Sequence, residues 1–310
     1  MSNDLLSQAR AFHHALDIPR EVWDALSKNE SAANIILPFA KKALTLPRED
    51  DDKQLWIALF DESNNVAFVL SCTKGPLGNY PIFIVSCGSS SIEIADAMSA
   101  LVSRLLQKVP PDRVFSVFST AKVARVFTGA FEAQVREEHG IRAHETPYYE
   151  AAFSSCTKDT IVHLTFPPPD EDDVTPGPIM NLRLASISDL EGVKRLCQGF
   201  SETSVSATPL FMYEPYIIPL SRQPPYELGD AAAELEARTM IENKQVWVHI
   251  IRQADQEEIA CLVATTRESA NVTAVTKVFT AEKWRGRRCA LRLLHRICHE
   301  WVSFLNVSAP

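Results

Sequence analysis

A segment rich in proline and acidic residues divides the chain near its middle. Residues 167–178 read PPPDEDDVTPGP, with five prolines and four acidic residues. Proline lacks the backbone donor that helices and sheet interiors need, and neighbouring carboxylates repel one another. The sequence therefore predicts an extended linker at 167–178 between two domains, 1–166 and 179–310.

The composition is that of a globular protein without a membrane-spanning segment. Hydrophobic residues make up 46% and charged residues 23% of the chain, and no apolar run approaches the roughly 18 residues that cross a bilayer. The net charge of −8 argues against a general nucleic-acid binder, which would carry a basic surface. The first residues lack a secretory signal, so we expect a cytoplasmic protein. From the net charge and the lack of a long apolar run we expect it to bind neither nucleic acid nor membrane. The seven cysteines are scattered and never spaced as Cys-x-x-Cys, which predicts reduced thiols that mostly fill the core.

Two predicted hairpins, one on each side of the linker, have similar sequences. In the first half, residues 53–60 (KQLWIALF) precede a polar turn and then 66–70 (VAFVL). In the second half, residues 244–251 (KQVWVHII) precede a polar turn and then 258–263 (EIACLV). Runs rich in β-branched and aromatic residues around a polar turn are typical of hairpins. The shared Lys-Gln-x-Trp indicates an internal repeat. The alternative is that the two hairpins are similar only because all hairpins have similar sequence patterns. In both cases we expect the two tryptophans, Trp56 and Trp247, in the core.

The remaining elements follow from helical spacing of apolar residues and from short apolar runs. In the first half we predict strands at 81–86 and 114–118, helices at 92–109 and 122–138, and further strands at 141–153 and 160–166. In the second half we predict a helix at 229–242 before the hairpin, a strand at 272–280 after it, and a last helix at 289–304.

A basic turn between that last strand and the last helix is the most informative stretch. The turn carries Arg285, Gly286, Arg287 and Arg288. Helix N-termini leave backbone N–H groups unpaired and have a partial positive charge, and the arginines add full charges that suit a pyrophosphate. Gly286 allows a close backbone turn. The alternative is a solvated loop, in which Arg288, Arg292 and Arg296 form the exposed stripe of the helix.

This turn resembles the acetyl-CoA-binding motif of the Gcn5-related N-acetyltransferase superfamily, Arg/Gln-x-x-Gly-x-Gly/Ala between a strand and a helix. Arg285 matches its first position and Ala290 its last. Arg288 stands at the central glycine, a departure that weakens cofactor binding or alters the turn unless Gly286 compensates. Residues 181–190 resemble the family's opening strand, with Asp189 as N-cap of a first helix to about Phe200.

The resemblance implies an α/β (α+β) fold of two such halves, each a mixed, mostly antiparallel sheet flanked by helices. In the first half 87–91 (CGSSS) replaces the basic turn, which implies a degenerate copy without bound cofactor. In the second half, the strands and helix that follow the motif helix in the family are missing, so this half is expected to be incomplete. The implied acetyl-CoA-binding residues are Lys277, Val278, Phe279, Thr280, Arg285, Gly286, Arg287, Arg288, Cys289 and Ala290.

The resemblance implies an acetyl-CoA-dependent N-acetyltransferase that acts on an amine of a small molecule or a protein. Removal of the amine proton needs a carboxylate or an ordered water. The sequence does not identify that base, for which Glu202, Glu214 and Glu268 are candidates. The alternative is a catalytically impaired module of the same fold that binds CoA or another protein. The exposed edge of 272–280 is expected to favour self-association.

Two histidines on the last helix form the one pair with a metal-ligand spacing. His295 and His299 are four residues apart, but no third ligand is evident, so we predict no metal site.

Overall fold

The chain folds as two compact units. The computed structural model describes residues 3–47, 54–75, 78–88, 91–147, 150–162, 164, 179–206, 228–253 and 256–304. One unit comprises Met1–Pro147 with Arg267–Ala274, and the other comprises Tyr148–Thr266 with Val275–Pro310. The predicted linker at 167–178 lies outside the described residues. Within each unit a mostly antiparallel sheet is flanked by helices, which confirms the predicted mixed α/β architecture.

The first unit is built on a five-stranded sheet. Its helices are α1 (Asn3–Gln8), α2 (Arg20–Lys28), α3 (Glu30–Ala33), α4 (Leu37–Ala43), α5 (Ile94–Leu106) and α6 (Ala121–His139). Its strands are β1 (Ala9–Phe12), β2 (Trp56–Phe60), β3 (Val66–Ser71), β4 (Lys74–Gly75), β5 (Gly78–Asn79), β6 (Ile82–Ser86) and β7 (Val117–Phe118). The sheet order is β1-β2-β3-β6-β7, and only β6 and β7 are parallel.

Strand β2 is buried on both faces of this sheet, which explains its continuous apolar sequence. Ile57 and Leu59 belong to the core that α5 and α6 complete, whereas Trp56 and Phe60 belong to the core with α2 and α4. Successive side chains of a strand point to opposite faces, so one strand serves two cores. Burying each such side chain contributes about 1.5–3 kcal/mol to folding. Trp56, 1% exposed, is confirmed as a core residue.

The second unit is built on a four-stranded antiparallel sheet. Its first elements are β8 (Ile179–Leu184), α7 (Leu190–Ser206), α8 (Asp230–Glu242), β9 (Val246–Gln253) and β10 (Gln256–Ala264). A short hairpin follows, β11 (Arg267–Glu268) with β12 (Thr273–Ala274), which belongs to the first unit. The last elements are β13 (Lys277–Thr280) and α9 (Cys289–Phe304).

The strands of this sheet have the order β13-β10-β9-β8. Different helices cover its two faces. One core joins the sheet to α7 and α8, and the other joins it to α9. Trp247, 6% exposed, lies in the α9 core and is confirmed as a core residue.

Several predicted elements were wrong in their bounds. The expected strand at 272–280 is divided into β12 and β13, because β12 pairs with β11 in the first unit whereas β13 pairs with β10 in the second. The described residues of 141–153 and 160–166 form no strand, and most are exposed, since no sheet edge pairs with them.

The predicted N-cap of α7 was also wrong. A 3-10 turn, Ile187–Asp189, precedes the helix and is capped by Ser186. Asp189 closes a capping box from the third position of that turn, accepting from the Ser186 N–H at 2.7 Å. It also accepts two hydrogen bonds from Arg183, at 2.7 and 3.0 Å.

Candidate functional site

The basic turn is held at both ends by buried residues. After β13, a 3-10 turn, Glu282–Trp284, brings Trp284 into the α9 core, where it is 7% exposed. Cys289, the first residue of α9, is also buried, and its thiol contacts the carbonyl oxygen of Trp284 at 3.7 Å. The residues between them, 285–288, are exposed. The turn is therefore a short exposed loop on a fixed base.

A buried histidine supports this base from the sheet. His249 of β9 lies 3.2 Å through Nδ1 from the carbonyl oxygen of Cys289. A carbonyl oxygen only accepts, so Nδ1 carries the proton and donates. Burial lowers the pKa of His249, which keeps the ring neutral in this position. The hydrogen bond links the start of α9 to the centre of the sheet.

The backbone of the turn is left-handed at two residues. Gly286 has φ 77° and Arg288 has φ 57°. Glycine adopts this conformation freely, whereas a residue with a Cβ is strained by about 1–2 kcal/mol. Arg288 occupies the position at which the resembled motif has glycine, and the structure gives the reason why glycine suits that position.

Three guanidinium groups of the turn have no carboxylate partner among the described residues. Arg287 lies 4.9 Å over the Trp284 ring. Arg285 donates through Nε to the carbonyl oxygen of Thr280 at 3.2 Å and lies 5.6 Å from the Phe279 ring centroid. Within the described part of the chain, no carboxylate forms an ion pair with Arg285, Arg287 or Arg288.

Two other cations nearby are paired with carboxylates. Lys283 pairs with Glu258, and Arg296 pairs with Glu300 at 3.2 Å. The positive charge of the turn is therefore concentrated on the three arginines, where an anion can use it.

Strand β13 is the outer strand of its sheet and offers only part of its backbone. Ala281, just after it, donates to the carbonyl of Ala260 at 2.9 Å. Backbone groups of successive residues alternate in direction, so those of Phe279 also point to β10 and those of Val278 and Thr280 point outward. No other described strand pairs with this outward edge. Self-association through the edge stays a prediction.

The side chains of β13 divide between the two faces of the sheet. Val278 packs in the α9 core, whereas Phe279 packs with α7 and α8. Two glycines let α7 approach: a Cβ on Gly192 would lie 2.6 Å from Ile259, and one on Gly199 would lie 2.7 Å from the Phe279 ring. The position of Phe279 thus depends on the absence of a side chain at Gly199.

No sequence pattern indicated the carboxylate that approaches β13. Glu236 of α8 pairs with Lys277 at 2.6 Å, and both side chains are mostly buried, 18% and 15% exposed. The Lys277 ammonium also lies 5.3 Å from the Phe200 ring centroid. Spacing could not reveal this pair, because its members lie on separate elements.

Two of the three carboxylates considered as bases lie among the described residues, on different units. Glu202 is exposed on α7, and Glu268 lies on β11, in the first unit. Glu214 lies outside the described residues. In the first unit, Cys87 is buried and its carbonyl accepts from Asn29 at 2.7 Å, while 89–90 of the 87–91 stretch lie outside the described residues.

The two histidines of α9 contact each other, with ring centroids 4.2 Å apart. His295 also accepts from the Leu164 N–H through Nε2 at 3.1 Å. Among the described residues, no three His, Cys, Asp or Glu side chains are arranged to hold a metal ion. In the same residues, no helix is long and apolar enough to span a bilayer.

Comparisons with known proteins give a likeness among solved structures. No protein-family model matches the chain, and no curated protein matches it. Among solved structures, the chain is similar to a GCN5-related N-acetyltransferase from Sphaerobacter thermophilus, at 12% sequence identity and a TM-score of 0.41. The alignment covers 94% of this chain and 82% of that one.

Proposed function

We propose that the second unit binds acetyl-CoA at the basic turn and transfers the acetyl group to an amine. The observation that carries this proposal is the set of three exposed guanidinium groups, Arg285, Arg287 and Arg288, without described carboxylate partners at the start of α9. Charge of one sign on an exposed loop favours anion binding, because a bound anion lowers the repulsion among the arginines.

The turn suits a pyrophosphate. Left-handed residues at Gly286 and Arg288 curve the backbone, and the first N–H groups of a helix lack intrahelical partners. Arginine forks add paired hydrogen bonds to phosphate oxygens. Cys289 and Ala290 contribute as the first residues of α9, through their backbone.

The pantetheine arm is proposed to lie along the outward edge of β13. Val278 and Thr280 offer backbone groups there, and an extended amide chain can pair with them as an added strand does. The side chains of Lys277 and Phe279 instead contact α7 and α8, on the face of the sheet opposite α9.

For the transfer itself, a neutral amine attacks the thioester carbonyl and its proton must be removed. We assign Glu236 to the acceptor side of the site, because it is the carboxylate in contact with a β13 side chain. A small molecule and a protein amine both satisfy this chemistry.

A second candidate is a module of the same fold that binds CoA or another protein without catalysis. Two observations favour it: Arg288 strains the turn at a glycine position, and β13 has an open outward edge among the described strands. Cofactor binding without acetyl transfer would support this candidate.

Calorimetric titration with acetyl-CoA tests the proposal. We expect saturable binding by the full chain and at least tenfold weaker binding by the R285A/R287A double variant, because two phosphate contacts are lost. The matched control is R296A. Arg296 is an exposed arginine of α9, the helix after the turn, and it is already paired with Glu300. This variant should bind acetyl-CoA as the unchanged chain does. Absence of binding at millimolar acetyl-CoA would overturn the proposal.

Acetyl transfer is tested by mass spectrometry of a panel of amines incubated with acetyl-CoA and the full chain. We expect Glu236→Gln to lower the rate of acetylation while acetyl-CoA binding is kept. Equal rates for both proteins would remove Glu236 from the acceptor site.

A further inference from the structure

Lys277, the first residue of β13, has its ammonium group on the face of the sheet that α7 and α8 cover. Its Nζ atom lies 2.6 Å from a carboxylate oxygen of Glu236 and 5.3 Å from the Phe200 ring centroid. Both side chains of the ion pair are mostly buried, Lys277 15% and Glu236 18% exposed. A carboxylate and an aromatic ring together hold this amine in one position, largely out of the solvent.

The position of Lys277 along β13 brings it toward the reacting end of the proposed cofactor. The basic turn follows the C-terminal end of β13, whereas Lys277 stands at the N-terminal end. The four residues of the strand span about 10 Å, since the rise is about 3.3 Å per residue. An arm that starts at the turn and pairs first with Thr280 and then with Val278 therefore carries its thioester toward Lys277.

We propose that Lys277 is itself an acceptor amine, so that the chain acetylates its own Lys277 from acetyl-CoA. This inference rests on the proposed function, because it requires acetyl-CoA at the basic turn. It makes Lys277 a modification site, and it makes Glu236 the group that takes the proton of the amine.

The transfer balances in atoms and in charge. The Lys277 ammonium gives one proton to Glu236, 2.6 Å away, and becomes a neutral amine. Its Nζ then bonds to the thioester carbonyl carbon, the carbon–sulfur bond breaks, and the sulfur leaves with the electron pair. A second proton from the nitrogen goes to the leaving thiolate, and Glu236 releases the first proton to water. The products are acetylated Lys277, the free CoA thiol and one proton.

Lys194 of α7 is a matched control within the same chain. Its side chain is also 15% exposed, and its Nζ lies 3.0 Å from Glu191 and 3.1 Å from Asp230. Lys194 thus shares the burial and the carboxylate pairing of Lys277, but it lies on a helix and not on β13. Acetylation that depended only on burial or pairing would affect the two lysines equally.

The experiment incubates the full chain with sub-saturating acetyl-CoA and follows acetylation of each lysine by mass spectrometry of peptides. We expect Lys277 to react roughly tenfold faster than Lys194 or more, because a bound thioester is positioned beside Lys277 alone. The R285A/R287A double variant should acetylate Lys277 roughly tenfold more slowly, because it loses two phosphate contacts. In Glu236→Gln the rate should fall while acetyl-CoA binding is kept, since an amide does not take the proton.

Acetic anhydride gives a second readout, which does not involve the cofactor site. It should label Lys283, which is 62% exposed, faster than the mostly buried Lys277. Glu236→Gln frees the Lys277 amine from its ion pair and should therefore speed its labelling by the anhydride. The same substitution should slow acetylation by acetyl-CoA. If Glu236 only held the packing together, its replacement would change both rates in the same direction.

Two results with acetyl-CoA would overturn the inference. They are equal rates at Lys277 and Lys194, or a rate at Lys277 that neither R285A/R287A nor Glu236→Gln changes. Unmodified Lys277 in a chain that binds acetyl-CoA would also overturn it and would leave the proposed function standing. Absence of acetyl-CoA binding would instead overturn the proposed function, and this inference with it.

Discussion

Replacement of Arg288 by glycine should stabilise the second unit, although it removes a charged side chain. Arg288 has φ 57°, and a residue with a Cβ costs about 1–2 kcal/mol in this conformation. Glycine removes that strain but increases the freedom of the unfolded chain, which costs about 0.4–1 kcal/mol. The exposed side chain is in no described ion pair, so little else is lost. We expect a net gain of roughly 0.5–1 kcal/mol in the free energy of unfolding.

The neighbouring Arg287→Gly is the matched control. Arg287 is equally exposed but has no positive φ, so glycine relieves no strain there. It adds freedom to the unfolded chain and removes the contact of Arg287 with the Trp284 ring at 4.9 Å. An exposed contact of this kind contributes about 0.5–1 kcal/mol. We therefore expect Arg287→Gly to destabilise the unit by about 1–2 kcal/mol.

Hydrogen exchange of peptides from α9, followed by mass spectrometry, measures these changes locally. This choice avoids a global unfolding free energy, which is poorly defined for a chain of two units. The most protected amides should exchange roughly threefold more slowly in Arg288→Gly and faster in Arg287→Gly. If both variants exchange faster by the same factor, the left-handed backbone at Arg288 is refuted. The explanation that this backbone favours glycine at position 288 is then refuted as well.

Two further predictions concern packing and acid stability. Gly199→Ala should cost about 1–3 kcal/mol, because the new Cβ meets the Phe279 ring at 2.7 Å; the control Gly129→Ala, in a helix with open space, should instead stabilise by up to about 1 kcal/mol. Each change is measured by hydrogen exchange of the helix that carries it, and equal effects of the two would contradict the close approach of α7. Burial alone would raise the pKa of Asp189, but hydrogen bonds from Arg183 and Ser186 lower it. The folded pKa is thus below the unfolded value of about 3.9, so this pairing stabilises the fold above about pH 4 and is lost as pH falls through the folded pKa. Asp189→Asn should therefore cost about 1–3 kcal/mol at pH 7 and much less at pH 2, as measured by hydrogen exchange of α7 peptides in the variant and the unchanged chain at each pH. An equal loss at both pH values would contradict the assignment.

Much of the fold could be predicted from local patterns. The central hairpins, the helices around 94–106, 121–139 and 230–242, and the strand–turn–helix at the basic turn were predicted within a few residues. Each depends on spacing that a single element displays, such as alternation in strands and a period of 3.6 in helices. Predictions failed where an apolar stretch had no neighbour to pair with, as at 141–153.

The candidate site was predicted only in part, for the same reason. Arg285 to Ala290 are consecutive, so the sequence alone determined that basic residues, a glycine and a helix start meet there. The conformation of Arg288 and the direction of each backbone group of β13 depend on how the strand joins β10.

The sequence by itself determined the composition of each element and the position of the positive charge. Only the tertiary structure decided which distant residues meet, namely Glu236 with Lys277 and Gly199 with Phe279. Such pairs lie on different elements, and their contact depends on the packing of helices against the sheet. Local periodicity specifies which face of an element is buried, but it does not specify the element that covers it.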